Sequence, residues 1–193
     1  MTDPHPIRCA CGALEGALAG DAWTNRVICY CDDCQAFAAH LGDEGILDAR
    51  GGSDIVQTGP RFVSFETGAE HLACVRVTPN GPLRWYASCC GTPIGNTPAN
   101  RKLAFVGLLH NALGDTAELD ARFGPPRMHV FTKFARGEPK PRQRIPLPAA
   151  LAFVRHLAAA RLGGGYRVTP FFDASGEPVA DPVLVPRPVQ RTG

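Results

Sequence analysis

Apolar positions in this chain come in short runs, several alternating with polar ones, and glycine or proline breaks each run within a few residues. Residues 25–31 (NRVICYC) have β-branched character and predict a strand. The segment after it, 32–42 (DDCQAFAAHLG), predicts a short helix, with Asp32 or Asp33 near its start and Gly42 closing it. Residues 51–68 predict two short strands split by a Gly-Pro turn. Residues 71–78 and 83–88 read as a hairpin around Pro79-Asn80-Gly81-Pro82. Further strands are expected over 102–109 (KLAFVGLL) and 127–134 (RMHVFTKF), while 13–20 (ALEGALAG) reads as small and turn-rich. A Pro-rich basic linker, 138–148, leads into one helix from about Pro148 to Leu162, stopped by three glycines. The tail beyond it reads as two extended pieces around a Ser-Gly turn. Many short strands with frequent turns argue for a mainly β fold.

Composition narrows the classes. A chain of 193 residues with 45% apolar and 20% charged content suits one globular domain, or one domain with an extension. A formal charge of +2, with no basic stripe interleaved with aromatics, gives no footing for nucleic-acid binding. No basic segment followed by an apolar core opens the chain, and no apolar run is long enough to span a bilayer. The expectation is a soluble, cytoplasmic protein without a membrane partner. In that compartment eight cysteines are expected as metal ligands or catalytic thiols rather than as disulfides.

Those cysteines are clustered. Cys9 and Cys11 form C-x-C before Gly12; Cys29, Cys31 and Cys34 form C-x-C-x-x-C; Cys89 and Cys90 are adjacent, before Gly91. Zinc holds each thiolate at about 2.3 Å, so its ligands must converge, and C-x-C and C-x-x-C spacings allow that with little strain. Four protein ligands mark a structural zinc, whereas three leave the open position of a catalytic one. Cys74, alone on an apolar strand, reads as a buried core residue. A redox role for Cys31 and Cys34 lacks the surrounding βαβ pattern.

The C-x-C-G near the N-terminus, the C-x-C-x-x-C about twenty residues later and the Cys-Gly after the hairpin (GPLRWYASCCGTPIGN) together resemble one family. It is the glutathione-dependent formaldehyde-activating enzyme family, which shares its Mss-four-like fold with centromere protein V. PPRMHVF is similar to that family's late Pro-x-His strand, and the resemblance covers about residues 6–135. The nearest likeness is to an uncharacterised bacterial subgroup. The resemblance implies an Mss-four-like zinc domain over 1–137, with the linker, helix and tail of 138–193 packed on it. It implies one or two zinc ions: a structural one on Cys9, Cys11 and Cys90, and an active-site one on Cys29, Cys31 and Cys34. The implied activity is of carbon–sulfur lyase type, on an adduct of glutathione or a similar small thiol such as S-hydroxymethylglutathione.

Two positions depart from the family pattern. Tyr30 stands where the family has His, and Ala87 falls where the first cysteine of the late C-x-x-C belongs. Three placements of Cys89 are open: it completes the first site as a fourth thiolate, it closes the second site, or it joins neither. The working assignment gives it to the first site. Arg84, Trp85 and Tyr86 are expected to pair across the hairpin, His129 to be a hydrogen-bonded strand residue, and Arg142 and Arg144 to be solvated or to suit a substrate carboxylate. His40, His71, His110 and His156 carry no ligand spacing. Two alternatives to a lyase stand beside it: a non-catalytic zinc-stabilised binding module, and a reductase of methionine sulfoxide using Cys74 or Cys89. The oligomeric state is not legible.

Overall fold

Eleven short strands and three helices make up the described part of the chain, residues 2–42 and 44–185 of a computed structural model. The strands are β1 (His5–Arg8), β2 (Glu15–Leu18), β3 (Asn25–Cys29), β4 (Ser53–Thr58), β5 (Val63–Thr67), β6 (Leu72–Arg76), β7 (Leu83–Ala87), β8 (Pro93–Thr97), β9 (Val106–Leu109), β10 (Met128–Val130) and β11 (Val183–Leu184). The helices are α1 (Asp32–Leu41), α2 (Thr116–Phe123) and α3 (Leu147–Leu162). The mainly β expectation holds.

One sheet has the order β1-β2-β5 and the other β10-β3-β4-β9-β8-β7-β6-β11. Pairing is antiparallel except at the two edges of the large sheet, where β10 runs parallel to β3 and β11 parallel to β6. The Gly59-Pro60 turn expected between two strands is a corner that carries the chain from the large sheet to the small one.

Alternation along β7 divides its side chains between two environments. Leu83, Trp85 and Ala87 point to one face and are fully buried in the main core, with Ile7, Leu14 and Leu18 from the small-sheet side and Phe171 from the tail. Arg84 and Tyr86 therefore point to the opposite face. That face is covered: Phe37 of α1 packs there with Val75, Val77 and Leu109.

Several expectations need correction. Residues 13–20 are not merely turns, because β2 is the middle strand of the small sheet. Its Gly16 is required by a bulge, where a Cβ would lie 2.0 Å from the carbonyl oxygen of Ser64. The strand over 102–109 begins only at Val106, since Leu103 and Phe105 donate back to Asn100 and Leu103 in a turn. The strand over 127–134 stops at Val130, because Phe131 takes φ 56 and the next three residues form a tight 3-10 turn. α2 is an addition, started by a capping box in which Asp115 accepts from the Glu118 N–H and Glu118 accepts from the Asp115 N–H.

The C-terminal segment is part of the core as well as packed on it. Phe171 is fully buried 5.3 Å from Trp85, ring to ring, and β11 extends the large sheet. His156 and Phe153 of α3 pack on Trp23. The linker docks beside β10 through paired backbone bonds between His129 and Arg144. Residues 186–193 of the expected tail lie outside the described residues.

Candidate metal centres

The first cluster joins two turns that lie about eighty positions apart in the chain. β1 runs out at Arg8, and Cys9 opens a tight turn in which the Gly12 N–H donates to the Cys9 carbonyl, with Gly12 at φ 75. The Leu14 N–H donates to the Cys9 sulfur at 3.3 Å. At the end of β7, the Cys90 and Gly91 N–H groups both donate to the Ala87 carbonyl, and Gly91 takes φ 75. On an extended strand Cys89 and Cys90 would point to opposite faces. This turn brings both sulfurs to one side.

The sulfur of Cys9 lies 3.6 Å from that of Cys11 and 3.8 Å from that of Cys89. Cys11 and Cys89 are 3.4 Å apart, and Cys89 and Cys90 3.9 Å apart. A tetrahedron with bonds of about 2.3 Å has edges of about 3.8 Å, so four thiolates in this arrangement suit one tetrahedral ion. All four sulfurs lie within 4.8 Å of one another and could hold a metal ion. Ala87, where the resemblance implied a cysteine, is instead fully buried in the core beside Trp85. Among the three placements of Cys89, the structure brings it to Cys9 and Cys11. Burial resists ionisation of Cys90, but the Thr92 hydroxyl and nearby N–H groups outweigh it and bring its pKa down to about 6. A hollow of about 950 Å³ opens beside this cluster, lined in part by His5, Arg8, Glu15 and Arg122.

The second cluster sits where β3 hands over to α1. Cys29 ends β3, and the Tyr30 N–H donates to the Val130 carbonyl, which holds the strand end against β10. Cys31 is the N-cap of α1, its sulfur accepting the Cys34 N–H at 3.3 Å, and Asp32 and Asp33 stand in the first turn as expected. Cys34 lies in the first turn. Its sulfur is 3.1 Å from that of Cys31 and 3.7 Å from that of Cys29, and the three sulfurs could hold a metal ion. Cys29 and Cys34 are buried and Cys31 is half-buried.

A charged group that sequence alone did not assign to this site completes it. The backbone of Arg84 pairs across the hairpin with Val75 as expected, but its side chain crosses beneath α1. Arg84 Nη1 donates to Asn96 Oδ1 at 3.0 Å and lies 3.6 Å from the Cys34 sulfur, while Nη2 is 3.9 Å from Asp33. The side chain is 3% exposed. Contacts from the Cys29 and Cys31 thiols, then the Arg84 charge, hold Cys34 well below the ordinary thiol range despite its burial. Cys29 is pushed the other way, by its contacts with Cys31 and Cys34 and by burial. The signal for Arg84 was the alternation in LRWYA, which places an arginine on the face away from Trp85.

The other expectations divide. Cys74 is a core residue, 2% exposed. His129 is a half-buried strand residue whose ring meets Tyr30 edge-on at 6.4 Å, and the Tyr30 hydroxyl donates to Asp48 at 3.4 Å. Arg142 and Arg144 are exposed on a hollow of about 730 Å³ that His129 also lines. Among the described residues, no histidine joins either cysteine cluster. No helix of the structure is long and apolar enough to cross a membrane.

No curated protein matches the chain. Residues 1–182 match the model of a family described as a family of unknown function (DUF6151), and the chain belongs to that family.

Proposed function

We propose that this is a two-zinc protein with an Mss-four-like fold acting in the cytoplasm, in which Cys9, Cys11, Cys89 and Cys90 form a closed structural site and Cys29, Cys31 and Cys34 an open one. In this reading the open site serves a carbon–sulfur lyase-type reaction on an adduct of glutathione or a similar small thiol. The observation that carries it is the contrast between the clusters: four sulfurs at tetrahedral spacing in one, three in the other. A bound zinc would supply Lewis acidity and keep a sulfur deprotonated.

The chain's own residues set the conditions. Contacts with Cys29 and Cys31, then the Arg84 charge, favour thiolate at Cys34. Burial of Cys29 and Cys34 excludes water from that side, and half-buried Cys31 marks the side from which a small thiol would approach. Cleavage of a hydroxymethyl thioether releases the aldehyde and the free thiol, the hydroxyl proton ending on sulfur, so no oxidant or reductant is consumed.

The competing reading is a zinc-stabilised binding module. It is favoured by the 950 Å³ hollow, which lies against Cys9 and Cys11 rather than against the three-cysteine cluster. Zinc per chain, measured on reduced protein for the wild type and for Cys31→Ala, separates the readings. Two zincs falling to one, with glutathione binding lost in the variant, supports the open site. One zinc that survives the substitution removes the lyase's metal and leaves the binding module.

A further inference from the structure

A guanidinium is costly to bury unless anions face it. Arg84 is 3% exposed at its side chain, beneath α1 and over the Phe37 ring. Asn96 is neutral, and Asp33, mostly buried at 19% exposed, pairs with Nη2 at the longer distance of 3.9 Å. The sulfur that lies against the buried guanidinium is that of Cys34, at 3.6 Å, in the three-cysteine cluster.

The charges balance in a particular way. A divalent ion shared by three thiolates leaves one negative charge, and one guanidinium cancels it. We propose that Arg84 is the charge-balancing positioning residue of the three-cysteine site, offsetting the net negative charge of a divalent ion held by the thiolates of Cys29, Cys31 and Cys34, so that the fourth position accepts an anionic sulfur ligand. This inference rests on the metal reading of that cluster. Arginine suits the role because it stays protonated when buried, and its Nη1 meets both Asn96 and Cys34.

The test uses the full-length reduced protein. Zinc affinity at each site is measured by chelator competition for the wild type, Arg84→Met and Arg84→Lys, and the cobalt(II)-loaded proteins are titrated with 2-mercaptoethanol while the thiolate charge-transfer bands are monitored. In Arg84→Met, one of the two zincs should weaken by about 10- to 100-fold and the other should be unchanged. Arg84→Lys should recover most of that loss, and the cobalt protein of Arg84→Met should need at least about tenfold more thiol for the same spectral shift. Unchanged affinity at both sites in Arg84→Met overturns the proposal and leaves the metal reading standing. Equal loss in the Lys and Met variants also overturns it, because the charge is then not what matters. A wild type holding one zinc that survives Cys34→Ala overturns the metal reading and the proposal with it. If Arg84→Met loses the four-cysteine zinc too, it has not folded, and Arg84→Lys decides alone: retention within about threefold supports the proposal, and loss of about tenfold or more overturns it.

Discussion

Arg84 Nη1 lies 3.6 Å from the sulfur of Cys34, a residue fifty positions earlier in the chain. The contact spans a strand of the large sheet and the first turn of the helix laid over it. It ties the hairpin to the three-cysteine cluster.

Cys89 is expected to be a ligand of the four-cysteine site, although the resemblance to the formaldehyde-activating enzymes would put the corresponding cysteine at the position of Ala87. Its sulfur stands 3.4 Å from Cys11 and 3.8 Å from Cys9. Cys89→Ser should release one zinc and lower the melting temperature by more than about 5 °C, since a structural zinc contributes directly to folding. Elemental analysis and a thermal melt check this. Full zinc content in the variant would remove Cys89 from the site.

Arg26 should be the costliest polar residue to lose. It is 2% exposed, grips Asp54 through Nε and Nη2, and reaches Asp120 and the Gly124 carbonyl through Nη1. Arg26→Met strands the mostly buried Asp54 and should cost about 3 kcal/mol or more in denaturant unfolding. Asp120 is half exposed, so Asp120→Asn should cost less than about 1 kcal/mol. Equal costs would mean that burial does not govern this network.

The C-terminal segment should not be separable from the domain. Phe171 is fully buried against Trp85 and Phe65. Phe171→Ala should destabilise by about 3–5 kcal/mol. A chain ending at residue 164 should lose the near-ultraviolet signal of packed Trp85. A truncated chain with native melting would restore a detachable tail.

Metal-free protein should gain stability as pH rises. Cys90 has its pKa lowered from 9.0 to about 6, with burial opposing and the Thr92 hydroxyl foremost among the groups that outweigh it. For an acid lowered by folding, the stabilisation is complete above the unfolded value of 9.0 and is lost as pH falls through about 6. Thermal melts of chelator-treated, reduced protein should rise across that window, and Cys90→Ser should flatten the rise. An identical slope in the variant would place the titration elsewhere.

The cysteine clusters were legible in the chain because ligand spacing is local: C-x-C and C-x-x-C bring sulfurs together with little help from the rest of the fold. The same holds for β3, α1 and α3, whose patterns are complete within a dozen or so residues and whose helices carry glycine stops. β2 was not legible, since its strand character comes from β1 and β5 on either side. Neither was the early stop of β10 at Phe131, which no composition signal marks.

The sequence by itself therefore determined that the cysteines fall in groups of ligand spacing, the mainly β character and the C-terminal helix. Only the tertiary structure decided that Cys89 stands with Cys9 and Cys11, that Phe171 enters the core and that Arg84 is buried beside Cys34. The physical reason is the same in each case. Periodicity tells which face of a strand a side chain occupies. What covers that face depends on segments far away in the chain, and here the cover of β7 is α1 on one side and the tail on the other.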